Sequence, residues 1–196
     1  MSSAVGMATG TGCGRAPVGP AGVTIVPAGG AEGRRLITRL VARCSAASLG
    51  ARLFLPEARV AGRDLVTLLV GPADGWTYLA MDAVAGEVAE KEGRPVGLLN
   101  MARAGGEAGV LEAGVLVADR WQRRGVGRAL LRHALARGQW HGTGPDTVVR
   151  VAVRTDNAAA LGMLRGLGLP RRLVATAPGE YHFELRPACV RARSAG

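Results

Sequence analysis

From Asp119 to Arg128 the chain reads Asp119-Arg120-Trp121-Gln122-Arg123-Arg124-Gly125-Val126-Gly127-Arg128, residue types suited to holding a phosphate. Glycines let the backbone come close to a ligand, and Val126, Leu130, Leu131, Ala134 and Leu135 then recur at helical spacing. A helix that starts here presents N–H groups without intrahelical partners and the positive end of its dipole, which together attract anions. Arg123, Arg124 and Arg128 add charge around the same point. The Lys-Ser/Thr pair of a nucleoside-triphosphate loop is missing, and the glycine run stops short of the dinucleotide fingerprint. As bare spacing, Gly-x-Gly before a helix also describes an ordinary tight strand–helix turn.

The other reactive side chains stand without sequence partners. His133 falls within the helix after the loop and reads as a surface residue; His141 lies in a glycine-rich connection and His182 in the last apolar stretch. Cys13, Cys44 and Cys189 are odd in number and share no metal-ligand spacing, which argues against a zinc site or a disulfide scaffold and fits a reducing cytoplasm. Cys44, at a predicted helix end, reads as packing. No metal is expected.

The elements that must position the loop are legible as a single succession. The 196 residues suffice for one domain with a core, and 48% hydrophobic against 20% charged residues is a globular balance. Residues 1–22 are rich in Gly, Ala, Ser and Pro and read as a flexible tail without the pattern of a signal peptide. The domain is expected over residues 23–186, with 187–196 as a second tail. Strands are predicted at Val23–Val26, Trp76–Asp82, Val96–Ala102, Val110–Val117 and Val148–Val153, with a closing hairpin of Leu173–Ala177 and Tyr181–Leu185. Helices are predicted over 31–44, 45–55, from the glycine loop to about Gly138, and from the cap candidate Asn157 to about Leu167. Leu65–Val70 reads as a buried turn or strand. No apolar run approaches the roughly 20 residues of a membrane helix.

Charge is unevenly placed. Up to Asp119 positive and negative residues balance, so the whole excess of +10 lies beyond it, where 14 arginines face four carboxylates. Lys91 is the sole lysine. Such a field draws small phosphorylated molecules as readily as nucleic acid, and seven aromatic residues leave little for stacking on bases, so nucleic acid is the disfavoured partner.

In its setting the loop says more. A strand ending Val115-Leu116-Val117, then Asp119-Arg120-Trp121, then Gln122-Arg123-Arg124-Gly125-Val126-Gly127 resembles the acetyl-CoA motif of the GNAT N-acetyltransferases, Q/R-x-x-G-x-G/A. Asn157-Ala158-Ala159-Ala160-Leu161 through to Gly168-Leu169 is similar to that family's N-x-x-A…G-F segment, with Leu169 in place of the aromatic. The likeness runs from about Val23 to Leu185. It implies an α/β (α+β) fold: a mixed, splayed sheet of about six to seven strands flanked by about four helices, with acetyl-CoA as co-substrate wedged into the splay. It further implies that backbone groups of Val115, Leu116 and Val117 pair with the pantetheine arm. The amides from Gln122 to Gly127, through Arg123, Arg124, Gly125 and Val126, would hold the pyrophosphate, with Arg128 beside them. Asn157 would bond the cofactor near its pantetheine end. A side chain at Gly125 or Gly127 would then intrude on the pyrophosphate.

Acetyl transfer to an amine needs a neutral amine, an oxyanion stabiliser and a proton for the departing thiolate. Glu112 is the expected base: five residues before Val117, roughly 16 Å along a strand, it would lie near the thioester while the pyrophosphate rests on the loop. Its spacing to Gln122 also resembles that of the bacterial Pat-type protein lysine acetyltransferases. So does Ser45-Ala46-Ala47-Ser48-Leu49-Gly50-Ala51-Arg52-Leu53-Phe54, set against that branch's S-x-x-S-x-x-x-R-F with Leu53 inserted. Where many members carry a general-acid tyrosine, this chain has Leu164; Tyr78 and Tyr181 are its only tyrosines. The acceptor is expected to be an amine-bearing protein or small molecule, chosen by the loops around 45–63 and 82–94. A non-catalytic acyl-CoA sensor is the alternative from another class. The sequence leaves the acceptor, the acyl length and the oligomeric state open.

Overall fold

The computed structural model describes residues 22–61, 63–71, 75–82, 93–105, 107–137 and 146–186. The strands are β1 (Val23–Pro27), β2 (Trp76–Asp82), β3 (Arg94–Arg103), β4 (Val110–Val117), β5 (Val148–Arg154), β6 (Arg171–Ala177) and β7 (Glu180–Leu185). The helices are α1 (Gly30–Val41), α2 (Ala46–Leu53), α3 (Leu65–Leu69), α4 (Val126–Arg137) and α5 (Ala158–Arg165). The strands form one sheet in the order β1-β2-β3-β4-β5-β7-β6. Every neighbouring pair is antiparallel except β4 and β5, which run parallel. This is the expected mixed sheet, with one helix more than the sequence suggested.

The extra helix is α3. A short, mostly apolar run such as Leu65–Val70 does not distinguish a buried strand from a buried helical turn. The preceding Asp64 decides it: its Oδ1 accepts from the Thr67 N–H at 3.0 Å and caps the turn, which sends Leu69 into the core and leaves Leu68 exposed.

Strand alternation gives the sheet two apolar faces. On one, Leu79, Leu98 and Leu116 pack with Leu36, Ile37 and Leu40 of α1, Leu49 of α2 and Leu69 of α3. On the other, Tyr78, Leu99, Leu111 and Val151 pack with Leu130, Leu131 and Leu135 of α4 and Leu164 of α5. Each such fully buried leucine contributes roughly 1.5–3 kcal/mol. Even-numbered residues of β4 therefore face α2, and odd-numbered ones face α4. No helix among the described residues is long and apolar enough to cross a membrane. The two expected tails, apart from Gly22, lie outside the described residues, as do Gly138, His141, Cys13, Cys189 and most of the 82–94 connection.

Candidate active site

The parallel pair is where the sheet opens. β4 and β5 are in register only at Val110–Val148, Leu111–Val149 and Glu112–Arg150. Beyond Glu112 the strands part, while β4 stays bonded to β3 as far as Val117 opposite Gly97. From Ala113 to Val117 one edge of β4 therefore has no neighbouring strand. Such an edge offers main-chain donors and acceptors to an extended, amide-bearing ligand. Glu112, exposed, stands at the closed end of the V, and the glycine loop lies at the open end.

A cleft of about 1560 Å³ runs between them. That exceeds the several hundred to 1,000 Å³ usual for one small ligand, which suits a long co-substrate together with an acceptor. Its walls include Glu112, Val115, Leu116, Val117, Gln122, Arg123, Gly125, Val126, Gly127, Arg128 and Asn157, so the fold gathers these expected residues into one site. Arg124 is the exception: its guanidinium carbon lies 5.3 Å from the Trp121 ring centroid, a cation–π contact outside the cleft lining.

The loop has the conformation its glycines imply, with one addition. Gly125 has φ 84° and Arg123, unusually for a side-chain-bearing residue, has φ 61°. The helical ladder starts with the Ala129 N–H on the Gly125 carbonyl at 2.9 Å, so the N–H groups of Gly125 to Arg128 precede it. A run of main-chain donors at a positive helix end, with Arg123 and Arg128 alongside, fits a pyrophosphate. Gln122 has a different part: its N–H bonds the Asp119 carbonyl at 3.2 Å, and its side chain donates to the Val117 carbonyl at 3.1 Å and to Ser48 Oγ at 2.8 Å. Gly127 has a packing part besides. A Cβ there would meet Met163 Sδ at 2.8 Å and Val115 Cγ1 at 3.4 Å, so the glycine lets α4 approach α5 and β4 closely.

Asn157 caps α5, its Oδ1 accepting from the Ala160 N–H at 3.0 Å, and the residue lines the cleft. Leu164 is a core residue, and no tyrosine lines the cleft among the described residues. Tyr78 is buried beneath α4. Its ring meets His133 edge-on at 5.3 Å, which corrects the surface reading of that histidine: α4 turns it inward against β2. His182 pairs with Glu180 at 3.3 Å. The C-terminal arginines, read as a charge excess, are partly spent internally: Arg150 binds Glu107 and Glu184, Arg172 binds Glu184, Arg154 binds Asp156, and Arg132 donates to the Leu167 carbonyl.

Cys44 is outside the cleft lining, and its thiol donates to the Leu40 carbonyl at 3.4 Å. Burial, with the Asp119 charge nearby, pushes its pKa up to about 12, so it stays a thiol at neutral pH. Native protein at pH 8 should leave Cys44 unalkylated by iodoacetamide, whereas denatured chain should label at once. Peptide mapping reads the outcome, and rapid native labelling at Cys44 would contradict the burial argument.

Sequence reading missed a brace between α2 and the loop. Asp119 Oδ2 accepts from the Ser45 N–H at 2.8 Å, and its Oδ1 accepts from Ser48 Oγ at 2.5 Å. Ser45 Oγ in turn accepts from the Ser48 N–H, capping α2. The two serines, the aspartate and Gln122 thus tie α2 to the glycine loop. Both strings, Ser45-x-x-Ser48 and Asp119-x-x-Gln122, were visible; only the fold shows that they join. A group of three or more His, Cys, Asp or Glu side chains fit to hold a metal is not found among the described residues.

Comparison with known proteins follows the same lines. Residues 71–169 match the model of the Acetyltransferase (GNAT) family. The GNAT domain of S. lividans PAT superposes with a TM-score of 0.63 at 20% identity, covering 83% of this chain and 89% of that one. A GCN5-related N-acetyltransferase from Kribbella flavida gives 0.58 at 22%, covering 86% and 99%. A chimera of the Vibrio cholerae spermidine N-acetyltransferase SpeG with hSSAT gives 0.56 at 15%, covering 86% and 98%. At such identities the likeness is one of fold. Among curated proteins, none matches this sequence.

Proposed function

This chain belongs to the GNAT family of acetyltransferases, and we propose that it transfers acetyl from acetyl-CoA to a primary amine by direct attack in a ternary complex, with Glu112 as base. One observation carries the reading: an exposed carboxylate at the closed end of the V and a donor-rich, arginine-flanked turn at its open end line the same cleft. Acetyl-CoA supplies the acetyl group as a thioester. The chain's residues do the rest. Main-chain N–H groups from Arg123 to Arg128 bind the pyrophosphate, the open edge of Val115–Val117 and the amide of Asn157 align the pantetheine arm, and Glu112 takes the proton that leaves the amine. Direct transfer is favoured over an acyl-cysteine because Cys44, the one cysteine among the described residues, is protonated and off the cleft. We place the activity in one domain, residues 23–186, and in a reducing cytoplasm.

The acceptor has two candidate classes. The segment from Ser45 to Phe54, similar to the protein-lysine branch, supports a protein lysine; a small-molecule amine is the other. Purified protein with acetyl-CoA and an amine panel, read by CoA release, tests the function. The sensor reading draws support from Leu164, buried where a general acid often stands. Tight acetyl-CoA binding without turnover on any amine would establish it instead.

Arg123 and Arg128 flank the loop, with Arg128 Nη2 within 3.8 Å of a Cβ placed on Gly125. Replacing both by Gln should weaken CoA by about tenfold more than dephospho-CoA, the worth of one charge-assisted contact to the ribose phosphate. Calorimetry with the two ligands measures it. Equal losses would assign the pair a general field.

A further inference from the structure

The cleft holds a cation that has no ion-pair partner among the described residues. Arg52, from α2, lies flat over Gly114 of β4, where a Cβ would overlap its guanidinium. One Nη donates to Asn100 Oδ1 at 3.2 Å, while Nε is enclosed and has no hydrogen-bond partner. Asn100 is itself fixed, donating to the Leu69 carbonyl at 3.0 Å and to Thr77 Oγ1 at 3.2 Å. The guanidinium is thus held in place by a neutral amide. Burial alone shifts its proton affinity, downward, with no opposing carboxylate. Arginine remains charged even so. A half-buried guanidinium that faces a cleft with only a neutral amide on it is a place where an anionic ligand gains a charge-assisted contact.

Position identifies the ligand. Arg52, Asn100, Gly114 and Glu112 all line the cleft, and Glu112 and Gly114 share one face of β4, about 7 Å apart along the strand. The cleft between these two positions is open to an acceptor. An amine whose proton goes to Glu112, with its carboxylate a few bonds away on Arg52, fills that gap. A lysine ε-amine in a protein fills it only where the acceptor also presents an acidic side chain that close, whereas a free amino acid carries its carboxylate by construction.

We propose that Arg52, oriented by Asn100 over Gly114, binds the carboxylate of the acceptor, making the acceptor a small amino acid-like molecule whose carboxylate lies close to its amine. The inference rests on the acetyltransferase reading for what the site does, and on Arg52 for what it selects.

Two measurements separate these. With protein saturated in CoA, calorimetry compares each N-acetyl amino acid with its primary carboxamide; turnover compares the free amino acids with their carboxamides. At least one acid should bind and react about 10- to 100-fold better than its amide, as expected for a charge-assisted pair. The preference should vanish in Arg52→Met. It should vanish also in Gly114→Ala, where the added methyl expels the guanidinium without removing it. Acid and amide behaving alike for every pair in the wild type, including no binding of either, overturns the proposal, as does a preference that survives in folded Arg52→Met. Acids preferred in binding, with no CoA released from any amine, would keep the carboxylate site and overturn the transferase reading; amides acetylated as well as acids would do the reverse.

Discussion

Glu112→Gln should lower the maximal rate of acetyl transfer by about 10²- to 10⁴-fold while leaving acetyl-CoA affinity nearly unchanged. Glutamine keeps the size and hydrogen-bonding reach of the side chain but cannot take up a proton as a carboxylate does. The affinity should hold because the cofactor's proposed contacts are main-chain groups of Val115–Val117 and of the loop, which this substitution does not touch. The rate should fall because a basic amine is almost wholly protonated at neutral pH and must lose that proton to attack. Two controls follow. The deficit should shrink as pH rises toward the pKa of the acceptor amine, where solution supplies the neutral form. An acceptor already neutral at the assay pH should be spared relative to a strongly basic one. Turnover against pH for both acceptors decides it, and a mutant matching the wild type in rate and profile would remove Glu112 from the mechanism.

What was legible in the sequence divides along a physical line. Local chemistry could be read: the cap at Asn157, the left-handed turn at Gly125, the alternation of Val110–Val117 and the helical stripe from Val126 all follow from near neighbours. The parting of β4 from β5 could not be derived from residues alone, because it depends on a parallel register of three pairs between strands more than thirty residues apart. It came instead with the family resemblance. Arg52 was visible as one letter in a serine-rich string, yet its isolation depends on Asn100 and Gly114, forty-eight and sixty-two residues away. His133 was misjudged for the same reason: whether a helix face meets solvent or another element is a tertiary fact. The glycine pair shows the limit best, since two identical letters two places apart do different things.

That difference yields the second large effect. Gly125→Glu should weaken acetyl-CoA by at least about 10²-fold, through a carboxylate set against the pyrophosphate where main-chain donors and helix dipole favour an anion. The fold should survive, because a Cβ at Gly125 meets nothing nearer than Arg128 Nη2 at 3.8 Å. The positive φ of 84° still imposes about 1–2 kcal/mol of backbone strain on any side chain. Gly125→Ala carries that strain without the charge, so the gap in affinity between the two variants isolates the electrostatic part. Gly127→Ala should behave oppositely. Its methyl group meets Met163 Sδ at 2.8 Å, a contact to which the flexible methionine must yield, and Val115 at ordinary contact, so stability should change by about 1 kcal/mol or less while binding in the folded fraction stays close to wild type. Calorimetry and thermal melts on the three variants separate these outcomes. Wild-type affinity in Gly125→Glu would move the pyrophosphate off this turn; a binding defect in folded Gly127→Ala would return that glycine to the cofactor's side of the loop.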